Sequence, residues 1–213
     1  MPGILYHLSF AEEVYRNLVM SKKLDKVAFM AGNLIPDLTI NKKESHYRIP
    51  GTVDGFEVPN LEEVKKDLFD LNNALKLGIF CHLYLDYYFI EHFLIPEFIW
   101  DKENDKITNP RNKLEWNIKT FWSHDGIYGA YTQINELMIR DGHVSMQTVR
   151  TIPEILPQTG IPVFDERREK TWKAELEEYL SQHAQYTGEI LDYERLWNAI
   201  ESITKQFIDE ISK

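Results

Sequence analysis

Three observations predict an all-α fold, a compact multi-helix bundle. Apolar residues recur at helical spacing through most of the 213 residues. Helix-start signals, a polar cap with a glutamate three residues on, stand directly before several of those runs. Strand-like alternation is hard to find, and there is no internal repeat or low-complexity tract. With 43% hydrophobic and 27% charged residues the composition is that of a globular chain, which excludes a mostly disordered one. The length fits a single all-α domain over 1–213, with a chemistry-bearing half at about 5–130 and C-terminal helices at about 165–212 completing the bundle.

In chain order, Ser9 and Glu12 form a capping box ahead of Val14, Leu18 and Val19, which starts a first helix. Residues 26–35 are apolar at helical spacing, and Pro36 should end that helix. The polar stretch 41–59, with Gly51 and Gly55, reads as a loop. Asn60 and Glu63 form a second capping box, opening 61–72. Residues 74–96 are the most apolar of the chain and read as one long buried helix. Residues 102–110 read as a polar loop, and 114–140 as helical with an interruption near Gly126 and Gly129. Pro153, Pro157, Gly160 and Pro162 make 151–165 an excursion between helices. The segments 167–182 and 191–211 close the chain as amphipathic helices.

Charge and composition narrow the function. The formal net charge is −10, which disfavours a nucleic-acid partner. Cys81 is the single cysteine, so neither an internal disulfide nor a cysteine zinc cage is expected. No stretch approaches the ~18 consecutive apolar residues of a membrane helix, and the N-terminus lacks a signal-peptide pattern. A soluble, cytoplasmic protein is therefore expected.

The histidines carry the chemistry. His82 and Asp86 stand at i and i+4 within the most apolar segment, about 40° apart on a helix. A buried carboxylate must be paired or ligate a metal; a His–Asp core hydrogen bond and a metal-ligand pair both satisfy this spacing. His92 borders the same face, and Glu91 points nearly opposite, toward solvent. Asp37 follows Pro36 at a helix end, either as an ordinary turn carboxylate or aimed at a site. His46 lies in a polar loop, and His7 just before the first capping box. His143 and His183 fall near helix ends and read as surface residues.

Taken in order, His7, the segment from Gly32 to Pro36 and Asp37, His46, the Gly78-x3-His82-x3-Asp86 helix, and then His92 resemble the zinc-dependent phospholipase C family. Its wider fold group includes fungal zinc-dependent single-strand nucleases. The resemblance covers roughly residues 5–95 and implies an all-α bundle around a zinc cluster. It implies that His46, His82 and Asp86 share one zinc, that His92 serves a neighbouring one, and that His7 serves a third bridged by Asp86. Asp37 is implied as the general base or water-orienting group. Zinc would acidify its water and polarise a phosphoryl oxygen, so cations rather than Lys or Arg would attract a phosphate ester to this acidic chain. The chain departs from the family in two ways. The secreted members ligate metal through their mature N-terminal residue, whereas Met1 here lies six residues before His7. The family's later His-x3-Glu helix is missing, and His124 with Asp125 is the best substitute, in an aromatic stretch where Trp122 and Tyr128, with Tyr47 beside His46, could line a substrate pocket. The expected cofactor is a divalent metal, zinc by the resemblance, at one site or two, and the expected partner a small phosphate-ester substrate. Two other readings fit the same residues. An HD-type phosphohydrolase would centre on His124-Asp125 with His82 or His92 and Asp141 or Asp165. A non-catalytic helical scaffold would have kept the fold without the whole cluster.

Overall fold

The computed structural model describes residues 3–18, 24–53, 55–144, 146–168, 172–181 and 185–212. Val19 and His183, both singled out by the sequence, lie outside the described residues. The first helix, α1 (Ile4–Leu18), begins five residues before the expected cap. Ser9 is inside it and buried, its hydroxyl donating back to the Leu5 carbonyl at 2.7 Å. Glu12 is also buried and is held by Lys26 at 2.9 Å, so neither residue of the expected capping box caps this helix.

α2 (Lys26–Leu38) starts on Asp25, whose carboxylate accepts from the Ala28 N–H at 3.1 Å. Pro36 sits inside its last turn rather than ending it. The proline removes only one N–H, and Thr39 caps the turn, its hydroxyl donating to the Pro36 carbonyl at 2.8 Å. The expected loop at 41–59 holds a short helix α3 (Lys42–Ser45) and a hairpin of β1 (Arg48–Pro50) and β2 (Glu57–Pro59). α4 (Leu61–Leu68) starts at the expected cap, with the Glu63 N–H on Asn60 at 3.4 Å.

α5 (Ala74–Tyr88) is buried along most of its length, as its composition requires. The long helix expected over 74–96 is not uniform. A π-helical segment runs through Phe89–Leu94, closed by an Ile95 N–H to Ile90 carbonyl bond, before the short α6 (Ile95–Glu97). The widened turn falls where Pro96 can offer no N–H to the preceding turn. A three-stranded antiparallel sheet follows, made of β3 (Ile99–Asp101), β4 (Lys106–Thr108) and β5 (Glu115–Trp116). Every strand is two or three residues long, too short for alternation to register in the sequence.

α7 (Ile118–Phe121) and α8 (Ile127–Arg140) flank the break at Gly126. α9 (Met146–Thr151) and α10 (Pro162–Asp165) bracket the proline-rich excursion. α11 (Trp172–Ser181) and α12 (Tyr193–Ile211) are the closing amphipathic helices. α12 packs on α1 and α5, where Phe207 meets Phe10, Phe80 and Tyr84. Among the described residues, no helix is long and apolar enough to cross a membrane.

One helix crossing positions the chemistry. α2 and α5 form the most extensive helix pair, and they meet through two glycines. A β-carbon on Gly78 would stand 2.1 Å from the Phe29 carbonyl oxygen, and one on Gly32 2.0 Å from that of Leu75. The backbones can approach this closely only because both side chains are missing. Asn33 and His82, one residue and one turn beyond, are thereby brought face to face.

Candidate metal centre

Four elements converge on one cluster of side chains. α1 supplies His7, the last turn of α2 supplies Asp37, the end of α3 supplies His46, and α5 supplies His82 and Asp86. His7, His46, His82 and Asp86 are buried, while the Asp37 side chain is 18% exposed. Asp86 Oδ1 lies 3.3 Å from His7 Nε2, and its Oδ2 lies 3.5 Å from Nε2 of both His46 and His82. His46 Nε2 is 3.8 Å from Asp37 Oδ1. The His7 and His82 rings stack at 3.6 Å with planes 6° apart.

The outward ring nitrogens fix the tautomers. His82 Nδ1 is 2.7 Å from the Asn33 carbonyl oxygen, and His46 Nδ1 is 2.8 Å from that of Lys42. A carbonyl can only accept, so Nδ1 carries the proton in both rings and the Nε2 lone pair faces inward. No hydrogen bond uses those inward atoms. Nε2 of His7, His46 and His82 and both oxygens of Asp86 are buried without a hydrogen-bond partner. Leaving several such atoms unsatisfied is costly. They form two groups, His46–His82–Asp86 and His7–Asp37–His82, in each of which the ligand atoms lie within 4.8 Å of one another. Buried imidazole and carboxylate donors, oriented by backbone carbonyls behind them, are what a divalent ion such as zinc requires. The residues fit the group.

The electrostatics agree with that fit. Burial disfavours ionisation of Asp86, yet His7 and His82 outweigh it and hold the carboxyl well below its ordinary value. Asp37 behaves likewise: burial works upward, but His82, His7 and Lys42 bring it down to about 2. Burial lowers His46 to about 4, with Asp86 opposing. Burial and the neighbouring His82 lower His7. Burial also works to lower His82, but Asp86 and Asp37 overcome it and raise that ring. The cluster therefore presents ionised carboxylates with His7 and His46 kept neutral, as a metal needs, while the raised His82 must give up its proton for Nε2 to ligate, so that metal and proton compete at that ring. Cys81, beside His82, is buried with its thiol pushed up by that burial, and it joins neither group.

Asp37 also lines an open cleft of about 870 Å³. The two hairpins form its outer wall, and Trp122, His124, Tyr128 and Tyr131 lie along one side. Trp122 and Tyr128 thus stand where a pocket was expected. Tyr47 does not line this cleft. Its hydroxyl instead donates to Asp67 at 3.2 Å.

His92 and the His124-Asp125 pair join neither ligand group. His92 is exposed and stacked on Tyr88 at 5.0 Å, carried outward on the π-helical turn. Glu91, expected in solvent, accepts from the Thr52 N–H at 2.8 Å and ties this turn to the hairpin. His124 and Asp125 sit exposed on the turn before α8, where Gly126 leaves no room for a β-carbon. Asp141 is engaged by Arg140 and Tyr193, and Asp165 by Thr159 and Gly160. The constellation of an HD-type site is thus not assembled among the described residues. His143 is half-buried and stacks on Trp197 at 3.4 Å.

Two functional features escaped the sequence reading. One is the pair of backbone carbonyls of Asn33 and Lys42, invisible in any residue pattern. The other is the basic lining of the cleft by Lys42, Arg48, Lys102 and Lys106, scattered over loops read only as polar.

A buried nitrogen–oxygen ligand set at the wall of an open cleft, inside a helical bundle, defines a metal-dependent hydrolase of phospholipase C-like type. The family model for zinc-dependent phospholipase C matches residues 6–130, and the chain belongs to that family. The matched span runs from α1 into the start of α8 and includes His7, Asp37, His46, His82 and Asp86. No curated protein and no solved structure matches the chain.

Proposed function

We propose that the protein is a phosphoesterase whose principal metal is held by His46, His82 and Asp86, with His7 and Asp37 flanking it as ligands of a second ion. The observation that carries this reading is the convergence of buried, unpartnered Nε2 and carboxylate atoms at the end of a cleft. When bound, a divalent ion there supplies Lewis acidity toward a phosphoryl oxygen and an acidified water.

The chain's own residues do the rest. The Asn33 and Lys42 carbonyls lock His82 and His46 in the ligating tautomer. Asp37, ionised and partly open to the cleft, accepts a hydrogen bond from a water and orients it. Its carboxyl, held at about 2, is too weakly basic for an efficient general base near neutrality, so orientation is the role its surroundings favour. Lys42 Nζ, 3.2 Å from Asp37 Oδ1, stands at the cleft to meet a phosphate oxygen.

Metal content measured by plasma mass spectrometry on untagged protein tests this. Near-stoichiometric zinc, lost in both His82→Ala and Asp86→Ala, is the expected result, and it would be followed by screening phosphomonoesters and phosphodiesters. A ratio near two per chain that falls to one in His7→Ala and in Asp37→Ala would assign the second ion to those residues. Absence of metal, with variants that are only less stable, would make the cluster a structural pair and return the chain to the scaffold reading.

A further inference from the structure

The charges that line the cleft beside the cluster answer one another. Lys42 lies on Asp37 at 3.2 Å, Arg48 on Glu57 at 3.5 Å and Lys106 on Glu115, and Lys102 is engaged as well. Charge therefore leaves this wall little with which to choose an organic group. The uncharged lining is rich in rings, with Phe56, Trp100, Trp122, Tyr128 and Tyr131.

Tyr128 stands apart from the other rings. Among the described residues it is the only Phe, Trp or Tyr side chain that is exposed, at 39%, and it is exposed into the cleft. Burial that every other described ring obtains at least in part is given up here. Its ring lies 6.3 Å from that of Trp122, with the planes 52° apart. Trp122 is half-buried and braced by Phe121 at 5.3 Å and Phe56 at 6.0 Å, both edge to face. The two rings thus make an open corner with one fixed side.

A line of rings joins this corner to the cluster. Tyr128 is 6.2 Å from Tyr131, and Tyr131 is 5.0 Å from Tyr6. Tyr6 directly precedes His7, whose Nε2 is 3.3 Å from Asp86. Asp37 opens into the same cleft of about 870 Å³, so an ester with its phosphate at the cluster must place its organic part in the remainder. In the corner a flat ring can lie against one face and turn its edge to the other, the two arrangements that aromatic pairs prefer. A saturated ring or a chain gains apolar contact there without that complementarity.

We infer that the cleft selects phosphate esters whose organic part is a flat aromatic group, seated between Trp122 and Tyr128. This rests on the phosphoesterase reading for the placement of the phosphate.

Five phosphonates that resist hydrolysis test it by calorimetric titration into the zinc-loaded protein. They are benzylphosphonate and 3-phenylpropylphosphonate, the cyclohexyl counterpart of each, and nonylphosphonate. The methylene beside phosphorus keeps their acidities close, and the two linker lengths allow for reach. Burial alone favours the saturated compounds, which are the more apolar. The inference predicts the reverse: at one linker length or both, the aromatic member binds about three- to ten-fold tighter than its cyclohexyl counterpart, the size of a well-placed ring pair. Nonylphosphonate should bind more weakly than the favoured aromatic compound. The aromatic advantage should vanish in Y128L, which keeps an apolar side chain without the ring, and persist in Y128F, which keeps the ring; both should retain their zinc. Saturated compounds binding as well as their aromatic counterparts at both lengths, nonylphosphonate binding tightest, or an aromatic advantage undiminished in Y128L would overturn the inference alone. Absence of binding by all five would overturn it together with the reading it rests on. A protein that prefers the aromatic compounds yet turns over no ester would refute the phosphoesterase reading and leave the aromatic preference standing.

Discussion

Gly78→Ala probes how the fold aims the site. The added β-carbon would stand 2.1 Å from the Phe29 carbonyl oxygen and 3.0 Å from the Gly32 Cα. Neither obstacle is the end of a flexible side chain, so α2 and α5 must separate by about 1 Å. Overpacking of this kind costs about 1–3 kcal/mol, and backbone-against-backbone contact belongs at the upper end. Alanine returns about 1 kcal/mol of helix propensity over glycine. The net loss of about 2 kcal/mol lowers Tm by roughly 4–8 °C in a chain of this size. The same separation stretches the 2.7 Å bond from His82 Nδ1 to the Asn33 carbonyl. A lost partner behind a metal ligand typically weakens the metal by ~10–100-fold. Scanning calorimetry of the metal-free protein and competitive zinc titration read the two effects. Gly142→Ala is the control. That glycine has φ +76° with nothing within 4 Å of its would-be β-carbon, so it should lose about 1 kcal/mol to local strain and leave zinc affinity unchanged. Unaltered Tm and zinc affinity in Gly78→Ala would refute the argument that the glycine crossing sets the position of His82.

Other perturbations separate the roles of single residues. Asp86→Asn removes the carboxylate shared by three histidines and should weaken zinc binding by more than ~100-fold, read by competitive titration. Lys42→Ala should keep its zinc, because His46 is oriented by the Lys42 carbonyl rather than by its side chain; metal content checks this. In the metal-free protein His46 should stay neutral until pH approaches about 4, against 6.5 for an ordinary histidine, which imidazole nitrogen NMR would show. A lowered folded value means that the unfolded chain binds the proton more readily, so His46's contribution to stability is present above about 6.5 and is lost as pH falls toward 4. His82, raised in the fold, contributes in the opposite sense as pH rises. Glu97→Ala strips a buried carboxylate from Arg195 and Arg111 and should lower Tm by several degrees, at ~1–3 kcal/mol, without changing zinc affinity.

The helical class, the second capping box and the i,i+4 pair of His82 and Asp86 were legible because each is a short-range pattern along one element. Gly32 and Gly78 both stood within the motifs that carry the resemblance, but their close approach acts only through the crossing of two helices. The short strands were not legible, since two or three residues cannot show a period. Ser9 read as a cap because a hydroxyl before an apolar run has that signature; in the fold it bonds back to Leu5 within a longer helix. His92 looked eligible from its angle on a regular helix, and the π-helical segment removes that regularity. Asp37, His46 and His7 could be gathered only through the order of the family's motifs, because tertiary packing, not spacing, brings three elements to Asp86.

The most direct test is an anomalous difference map at the zinc edge from crystals grown with zinc. A peak bonded to His46 Nε2, His82 Nε2 and Asp86, at the ~2.0–2.2 Å of zinc–nitrogen and zinc–oxygen bonds, is the expected result. An empty cluster in the presence of zinc, or a peak on His92 or on His124 and Asp125 instead, would contradict it.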